Sequence, residues 1–389
     1  MSERNLNVAV ICPGCGGSGA VANVALHQSA ELAKYFRVQL VSDGLPPKPA
    51  PGVVQRPIRP PIFRQLRRFA HVPREAAFAL WAKAAVRRLH AKQAVDAVIC
   101  HGHPVAALAA APLTRGLGIP FILVTHGDIF DRPRGTYDPL LTRFYRQVTR
   151  PAYRGAARIV ALSPHMQQLA VAGGAQPDRV VVIPNGLDPT EIGLPEDEAD
   201  CAQPAMAAGP VRLLYVGRLS VEKGVDVLID AAARLNEQGV PFNLRIVGTG
   251  PEEARLRTQT ASLGLAGAID FLGGIPRHQL GALYRTADIV CVPSRSDTLP
   301  TVVLEAMAAG VAVVGSETGG IPFLLLQGQA GWLVPTDVPA ELANILTRLA
   351  EYPDTRTAKC RLASELVRDR FSWAANASAV ANLISQASR

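Results

Sequence analysis

Short runs of β-branched and apolar residues punctuate the first half of the chain, at residues 8–11, 38–41, 53–55, 95–100, 121–125, 159–161 and 180–183. Most carry apolar residues at both odd and even positions, as expected of strands covered on both faces. Between them lie stretches with helical spacing, at 20–36, 75–92, 105–116, 140–154 and 165–171. Strand and helix taking turns predicts a parallel sheet with helices on both sides. From 188 to 210 the sequence turns acidic and rich in Pro and Ala with no apolar period, which predicts a linker. A second alternating series follows, with strands at 212–216, 243–247, 268–271, 289–292 and 312–314, and 373–388 reads as a last amphipathic helix. The pattern predicts two doubly wound α/β domains, 1–187 and 211–371, joined by 188–210 and followed by a helix in 372–389.

Composition fits that reading, since 389 residues of which 48% are hydrophobic allow two or three domains with a substantial core each. The longest apolar runs are broken by charge or Gly well short of the roughly 18 residues that a membrane helix needs. The first residues hold a strand-sized apolar run where a signal peptide would carry its hydrophobic stretch, so the expected location is cytoplasmic.

The net charge of +8 is unevenly placed: residues 56–92 hold ten Lys or Arg against the single acid Glu75. A solvated face with Arg stems lying along it is the plain reading of that stretch. The functional one is a surface from Arg56 to Lys92 that meets anionic lipid at the inner face of a membrane, or a polyprenyl pyrophosphate carrier, with Phe78 and Trp81 adding apolar insertion. No nucleic-acid module accompanies the charge, so no nucleic-acid partner is expected. Six cysteines in a chain without a secretion signal do not read as a disulfide framework. Cys12 and Cys15 have C-x-x-C spacing between a strand and a helix, and Cys100, His101, His103 and His126 end two later strands. A redox pair or a soft metal site is one reading of them. The expected one is reduced thiols in a tight glycine-rich loop, with no metal.

Two segments of the second series carry the chemistry. Ser294 to Gly310 places Asp297 and Glu305 eight positions apart, on a loop running into a helix. Pro300 and Thr301 mark the helix start and Gly310 its C′ end, so free N–H groups around Leu299 to Val302 would form an anion site. Tyr215 to Gly224 ends a strand in Gly217 and follows it with the cations Arg218 and Lys223. In an open α/β sheet that edge is where ligands bind. Cations on one loop, N–H groups on another and a carboxylate beside them suit a diphosphate attached to a hydroxyl-rich group, as in a nucleotide sugar.

With these residues the chain resembles the retaining family 4 glycosyltransferases, whose GT-B fold sets two Rossmann-like domains face to face across a cleft. The family's G-R-L-x-x-x-K-G pattern is met at Gly217, Arg218, Leu219, Lys223 and Gly224. Its Glu, seven residues, Glu element appears with Asp297 first and Glu305 second. Shorter matches stand at 163–164, 183–188, 287–294 and 319–322. Two positions depart from the family: Asp297 is one methylene shorter than the usual Glu, and Phe323 stands where a Glu usually follows G-G-I-P.

The resemblance implies a retaining glycosyltransferase that moves a sugar from a nucleotide-diphosphate sugar to a hydroxyl acceptor. That acceptor would be a small molecule or a lipid-linked saccharide in polysaccharide or glycolipid synthesis, with no cofactor required. Arg218 and Lys223 would stabilise the departing diphosphate, Glu305 would accept hydrogen bonds from the ribose hydroxyls, and Asp297 would face the donor sugar. Gly217, Leu299, Pro300 and Thr301 would line the same donor site, and Gly17 would bring backbone up to the diphosphate. Gly16, Ser18 and Gly19 of that loop, with Asp128, fall on the acceptor side. His126 matches the family's cleft histidine, which touches the donor sugar. By the same resemblance the C-terminal helix crosses back onto the first domain. The rival readings are a nucleotide-sugar epimerase on a similar fold and a catalytically weak nucleotide-sugar-binding protein, the latter allowed by the shorter Asp297.

Overall fold

The computed structural model describes residues 6–13, 20–45, 49–58, 71–102, 104–126, 147, 149–195 and 209–388. The chain divides into two units, residues 1–185 with 373–389, and residues 186–372.

In the first unit seven strands form one parallel sheet: β1 (Asn7–Cys12), β2 (Arg37–Ser42), β3 (Val53–Pro57), β4 (Ala97–His101), β5 (Phe121–Val124), β6 (Arg158–Ala161) and β7 (Val180–Val182). Their order is β3-β2-β1-β4-β5-β6-β7. All six residues of β1 are buried, and alternation sorts their side chains onto two cores. Ala9 and Ile11 share a core with Phe78, Ala82 and Val86 of the His71–Lys92 helix. Val8, Val10 and Cys12 share the other with Ala22, Ala25 and Leu32 of the Ala20–Leu32 helix and with Val380 and Ile384 of the C-terminal Trp373–Ala387 helix. The strand lacks polar alternation because both its faces are covered. Asn376 pins the C-terminal helix to this unit, donating to the Pro184 carbonyl at 2.7 Å and accepting from Gln28 Nε2 at 2.8 Å.

The second unit holds six parallel strands, β8 (Val211–Val216), β9 (Phe242–Val247), β10 (Ile269–Gly273), β11 (Ile289–Val292), β12 (Ala312–Ser316) and β13 (Trp332–Val334), in the order β10-β9-β8-β11-β12-β13. Val211, Leu213 and Tyr215 of β8 pack in one core with Leu228 and Leu235 of the Val225–Glu237 helix and Leu342 and Leu346 of the Pro339–Glu351 helix. At the base of this sheet Asp288 accepts from the Arg212 backbone N–H at 2.8 Å and from its guanidinium at 2.9 and 2.7 Å, which fixes the start of β8 against β11.

Both units are Rossmann-like and doubly wound, as the sequence pattern predicts. In each sheet the strand order reverses beside the first strand, between β1 and β4 and between β8 and β11. Right-handed crossovers run outward from the first strand in one direction, and the chain then returns to build in the other. The loops leaving the C-terminal ends of those two neighbours part and leave a crevice.

The expected linker starts too early. Asp188 caps a 3₁₀ turn, Pro189–Ile192, by accepting from Thr190 N at 2.9 Å, and Ile192 is fully buried in the second unit. Acidic, proline-rich sequence without a period describes a short capped turn as well as a linker, and here it is the turn. Among the described residues no helix is long and apolar enough to cross a membrane.

Candidate functional site

The crevice between β8 and β11 collects the charged residues that the sequence singled out in the second unit. After Val216 the chain leaves β8 through Gly217, whose N–H donates to the Val247 carbonyl at 2.9 Å. It turns through the 3₁₀ segment Val221–Lys223 and passes Gly224 at φ 64. A Cβ on Gly224 would collide with the carbonyl of Pro293, just past the end of β11, so glycine lets the two loops touch. Lys223 Nζ thereby reaches Asp297 Oδ2 at 2.5 Å, with 27% and 13% of the two side chains exposed. Behind Asp297, the Gly320 N–H donates to its carbonyl at 2.9 Å. Gly319, at φ 56, sits where any Cβ would overlap that same carbonyl.

Arg218 is exposed and forms no ion pair among the described residues. Its carbonyl accepts from the Tyr215 hydroxyl at 2.9 Å. Burial, then the charges of Asp297 and Glu222, push that hydroxyl above its ordinary value, so it remains a donor.

Arg295, which sequence reasoning passed over, staples the two loops. Its backbone N–H donates to Glu222 O at 2.8 Å, and its Nη1 to Val221 O at 2.7 Å. Nη1 and Nη2 grip the two Asp226 oxygens at 2.9 Å each, and Nε reaches Asp337 at 2.6 Å. Burial alone would raise the Asp226 carboxyl; hydrogen bonds from Arg295, its charge and that of Arg255 hold it below the ordinary value instead. A bidentate fork of this kind fixes geometry as well as charge.

The loop then enters the Thr301–Ala308 helix, with Pro300 as N-cap and no side-chain cap. Leu299 and Pro300 are buried and Thr301 is exposed; the Val303 N–H donates to the Pro300 carbonyl at 3.1 Å, while the N–H groups of Thr301 and Val302, at the first two positions, have no acceptor within the helix. Gly310 ends it at φ 69. Glu305 lies inside this helix with 3% exposure. Tyr284, itself fully buried, donates its hydroxyl to Glu305 Oε2 at 2.7 Å, and Arg277 Nη2 reaches Oε1 at 3.0 Å. Burial and then the Glu305 charge keep the Tyr284 hydroxyl protonated. Arg277 is held in turn by Glu191, 3.3 Å away, from the segment expected to be linker. A carboxylate offers about four lone-pair sites, so two protein donors leave Glu305 room for a vicinal diol. Phe323, where the family has Glu, sets its ring edge-on to Phe371 at 6.0 Å.

In the first unit His101 ends β4 and His126 follows β5, and His101 Nδ1 lies 3.0 Å from His126 Nε2. Burial lowers both imidazoles, His126 to about 4, and His126 lowers His101 further. Cys12 and Cys100 are buried, and burial pushes the Cys100 thiol up to about 12. Among the described residues no group of three His, Cys, Asp or Glu could hold a metal ion. Gly16, Gly17, Ser18, Gly19 and Asp128 lie outside the described residues, as do Cys15 and His103. So do residues 59–70 of the basic stretch. What is described of that stretch borders a cavity of about 570 Å³ whose lining includes Arg56, Ile58, Trp81, Arg88, Leu89 and Lys92. Trp81 is 42% exposed, but Phe78 is 1% exposed and belongs to the core, so it cannot insert into a membrane.

The description Glycosyltransferase Family 4 fits residues 19–191, and Glycosyl transferases group 1 fits residues 197–362. The chain is 35% identical over 221 residues to the putative colanic acid biosynthesis glycosyltransferase WcaL of Salmonella typhimurium, covering 54% of this chain and 52% of that protein. It is 35% identical over 222 residues to the D-inositol 3-phosphate glycosyltransferase of Corynebacterium efficiens, covering 55% and 52%. The chain thus spans about half the length of the curated relatives it matches. Among solved structures, the sucrose-phosphate synthase of Thermosynechococcus elongatus aligns over 98% of both chains with a TM-score of 0.78 at 20% identity. Anabaena HepE in complex with UDP-glucose aligns over 98% of this chain and 100% of its own, with a TM-score of 0.71 at 20% identity. Those likenesses establish the GT-B fold. On that fold the chain carries, one after the other, a match to the Family 4 glycosyltransferases over residues 19–191 and a match to the group 1 glycosyl transferases over residues 197–362.

Proposed function

We propose that the chain transfers a sugar from a nucleotide-diphosphate sugar to a hydroxyl acceptor, with retention at the anomeric carbon. The observation that carries this is the Lys223–Asp297 pair, joined at 2.5 Å from two loops at the β8–β11 reversal, with Arg218 exposed on the Lys223 loop. An ammonium has three donors. One serves Asp297, and two remain for diphosphate oxygens.

As the bond from the anomeric carbon to the phosphate oxygen breaks, negative charge grows on the leaving group. Arg218 and Lys223 act on that growing charge, and being placed in advance they favour the transition state over the ground state. They fill the role that a metal ion would otherwise serve, so no metal cofactor is proposed. The acceptor oxygen bonds to the anomeric carbon on the face that the phosphate oxygen leaves, and the acceptor's proton passes to that phosphate oxygen. Glu305 receives the ribose hydroxyls on its two open lone-pair sites. Asp297 contacts the donor sugar, and its shorter reach selects the hydroxyl pattern of that sugar; His126 takes the role that the resemblance implies for it, a contact to the sugar. The N–H groups of Thr301 and Val302 add to the diphosphate site. The acceptor-side loop Gly16 to Gly19 and Asp128 are part of the same proposal.

UDP-sugars are the first donors to try, given the UDP-glucose bound by HepE. The relative named for colanic acid biosynthesis supports a saccharide acceptor. The basic cavity beside Trp81 favours one that is lipid-linked and reached by peripheral contact with an anionic membrane.

The test is nucleoside diphosphate release from UDP-, GDP- and ADP-sugars with and without hydroxyl acceptors, alongside thermal shift for each donor. NMR of the product's anomeric proton then reports the stereochemistry. Donor sugars that interconvert without release would make the protein an epimerase. A thermal shift with no release under any condition would favour the one rival that the shortened Asp297 supports, a nucleotide-sugar-binding protein.

A further inference from the structure

The donor site as proposed uses His126 and leaves His101 without a task. His101 is nevertheless an unusual residue to find where it is: the last residue of β4, fully buried, with its Nε2 lacking any hydrogen-bond partner among the described residues. Among the described residues the one polar contact of its ring is His126. In the register of β4 with β5, His101 stands opposite Val124, and His126 lies two residues beyond Val124, so alternation brings the two imidazoles to the same side. Their ring centroids are 5.2 Å apart with 24° between planes, and Nδ1 of His101 is 3.0 Å from Nε2 of His126.

At that distance one nitrogen donates and the other accepts, and two arrangements are open to a neutral pair. If His126 donates from Nε2, then His101 carries its proton on Nε2, which becomes a buried N–H with no acceptor. If His101 donates from Nδ1, its Nε2 is left as an unfilled lone pair. Buried orphan N–H groups are rarer and costlier than underused acceptors. The second arrangement wins, and it places the proton of His126 on Nδ1.

We propose that His101 is a positioning residue whose Nδ1–H holds His126 as the Nδ1-protonated tautomer, so that His126 offers the donor sugar a neutral N–H and not a base. This rests on His126 facing the donor sugar, as in the proposed function. Burial keeps both rings neutral well below physiological pH, which removes the doubly donating imidazolium form from consideration. With Nε2 of His126 occupied by His101, the ring has one polar atom left for a ligand, and that atom can only donate.

The test uses the full chain labelled with ¹⁵N-histidine. Long-range ¹H–¹⁵N correlations distinguish the two tautomers of each ring, and a His126→Gln protein identifies the His126 signals. The wild-type ring should show the Nδ1–H pattern at neutral pH. In His101→Leu it should move toward Nε2–H, with kcat lowered about tenfold and donor KM changed by less than about threefold, as for an interaction that matters mainly in the transition state. His101→Asn, whose amide nitrogen lies near the place of Nδ1, should restore most of both readouts. A wild-type His126 protonated on Nε2 overturns the proposal, and so does a His101→Leu protein whose ring pattern and kcat are those of wild type. Should His101→Leu fail to fold, the wild-type spectrum and His101→Asn decide. A wild-type protein that releases no nucleoside diphosphate from any donor would sink the transfer reading, while the ring pattern still settles what His101 does to His126.

Discussion

Lys223→Ala is the most informative single change in the donor site, because one ammonium serves Asp297 and, in the proposed complex, the diphosphate. An ammonium about 4 Å from a phosphate charge, at an effective dielectric of about 20, gains about 4 kcal/mol. Lys223 is 27% exposed, so screening by solvent reduces that gain. The change also strips the cation from Asp297, which is only 13% exposed and would then repel the phosphates. Taken together these leave about 3 kcal/mol, or about a 10²-fold fall in turnover. Since the uncovered carboxylate is part of the loss, Lys223→Ala with Asp297→Asn should be faster than Lys223→Ala alone, a coupling expected of groups in contact. The assay is steady-state nucleoside diphosphate release at saturating donor, with thermal denaturation to show that each variant folds. Turnover of Lys223→Ala within about threefold of wild type would refute the reasoning, and so would a double variant slower than the single one.

Arg218→Ala should lower turnover by about 10²-fold while leaving nucleoside monophosphate binding nearly intact, measured by calorimetry beside the kinetics. Asp297→Glu restores the family's usual length and should change donor preference with activity kept; if Asp297→Asn matches wild type on every donor, the carboxylate does not touch the sugar. Arg295→Leu removes the fork on Asp226 and should reduce turnover with little change in the sheet's far-ultraviolet signal, and normal turnover would show that the two loops hold together without it. Asp288→Asn removes the buried carboxylate that pairs with Arg212 at 2.7 Å and should destabilise the second unit by about 3 kcal/mol in denaturant titrations. Burial would raise the Asp288 carboxyl, but the Arg212 hydrogen bonds hold it below the ordinary value. Its stabilisation is therefore full above the ordinary carboxylate range and fades as pH falls through the depressed value, and the gap between variant and wild type should narrow there. In liposome co-sedimentation at low salt, changing Arg56, Arg88 and Lys92 to Gln should weaken binding to anionic vesicles, and equal sedimentation of the two proteins would leave a solvated face.

The fold was legible where a run of β-branched and apolar residues stands out from its flanks. The run read at 8–11 is the middle of β1, and the run read at 212–216 is all of β8 but its first residue, because the buried side chains of Leu213, Leu214 and Tyr215 follow one another without a polar break. β13 escaped where the equally short β7 did not, because Val180–Val182 is three β-branched residues while Trp332–Val334 holds one. The start of the expected linker failed for the opposite reason: its signal was real but local, and what decides its fate is Ile192, buried by tertiary contacts that no window of the sequence contains. Likewise Phe78 and Trp81, three positions apart on one helix, read alike as apolar, yet one enters the core and the other stays 42% exposed.

The donor site divides along the same line. Residues proposed to meet the ligand were readable, since a loop that holds a diphosphate needs its glycine, cations and carboxylates at short, fixed spacings. Residues that hold those loops in place were not. Arg295 meets Asp226 across 69 positions and Tyr284 meets Glu305 across 21. Each becomes a neighbour through the order of strands in the sheet, above all through β11 returning to lie beside β8. Runs of apolar residues announce strands but not their order. The reversal that makes the crevice is also what hides its supports, and a sequence reading of such a site names the groups aimed at the ligand while missing the ones that aim them.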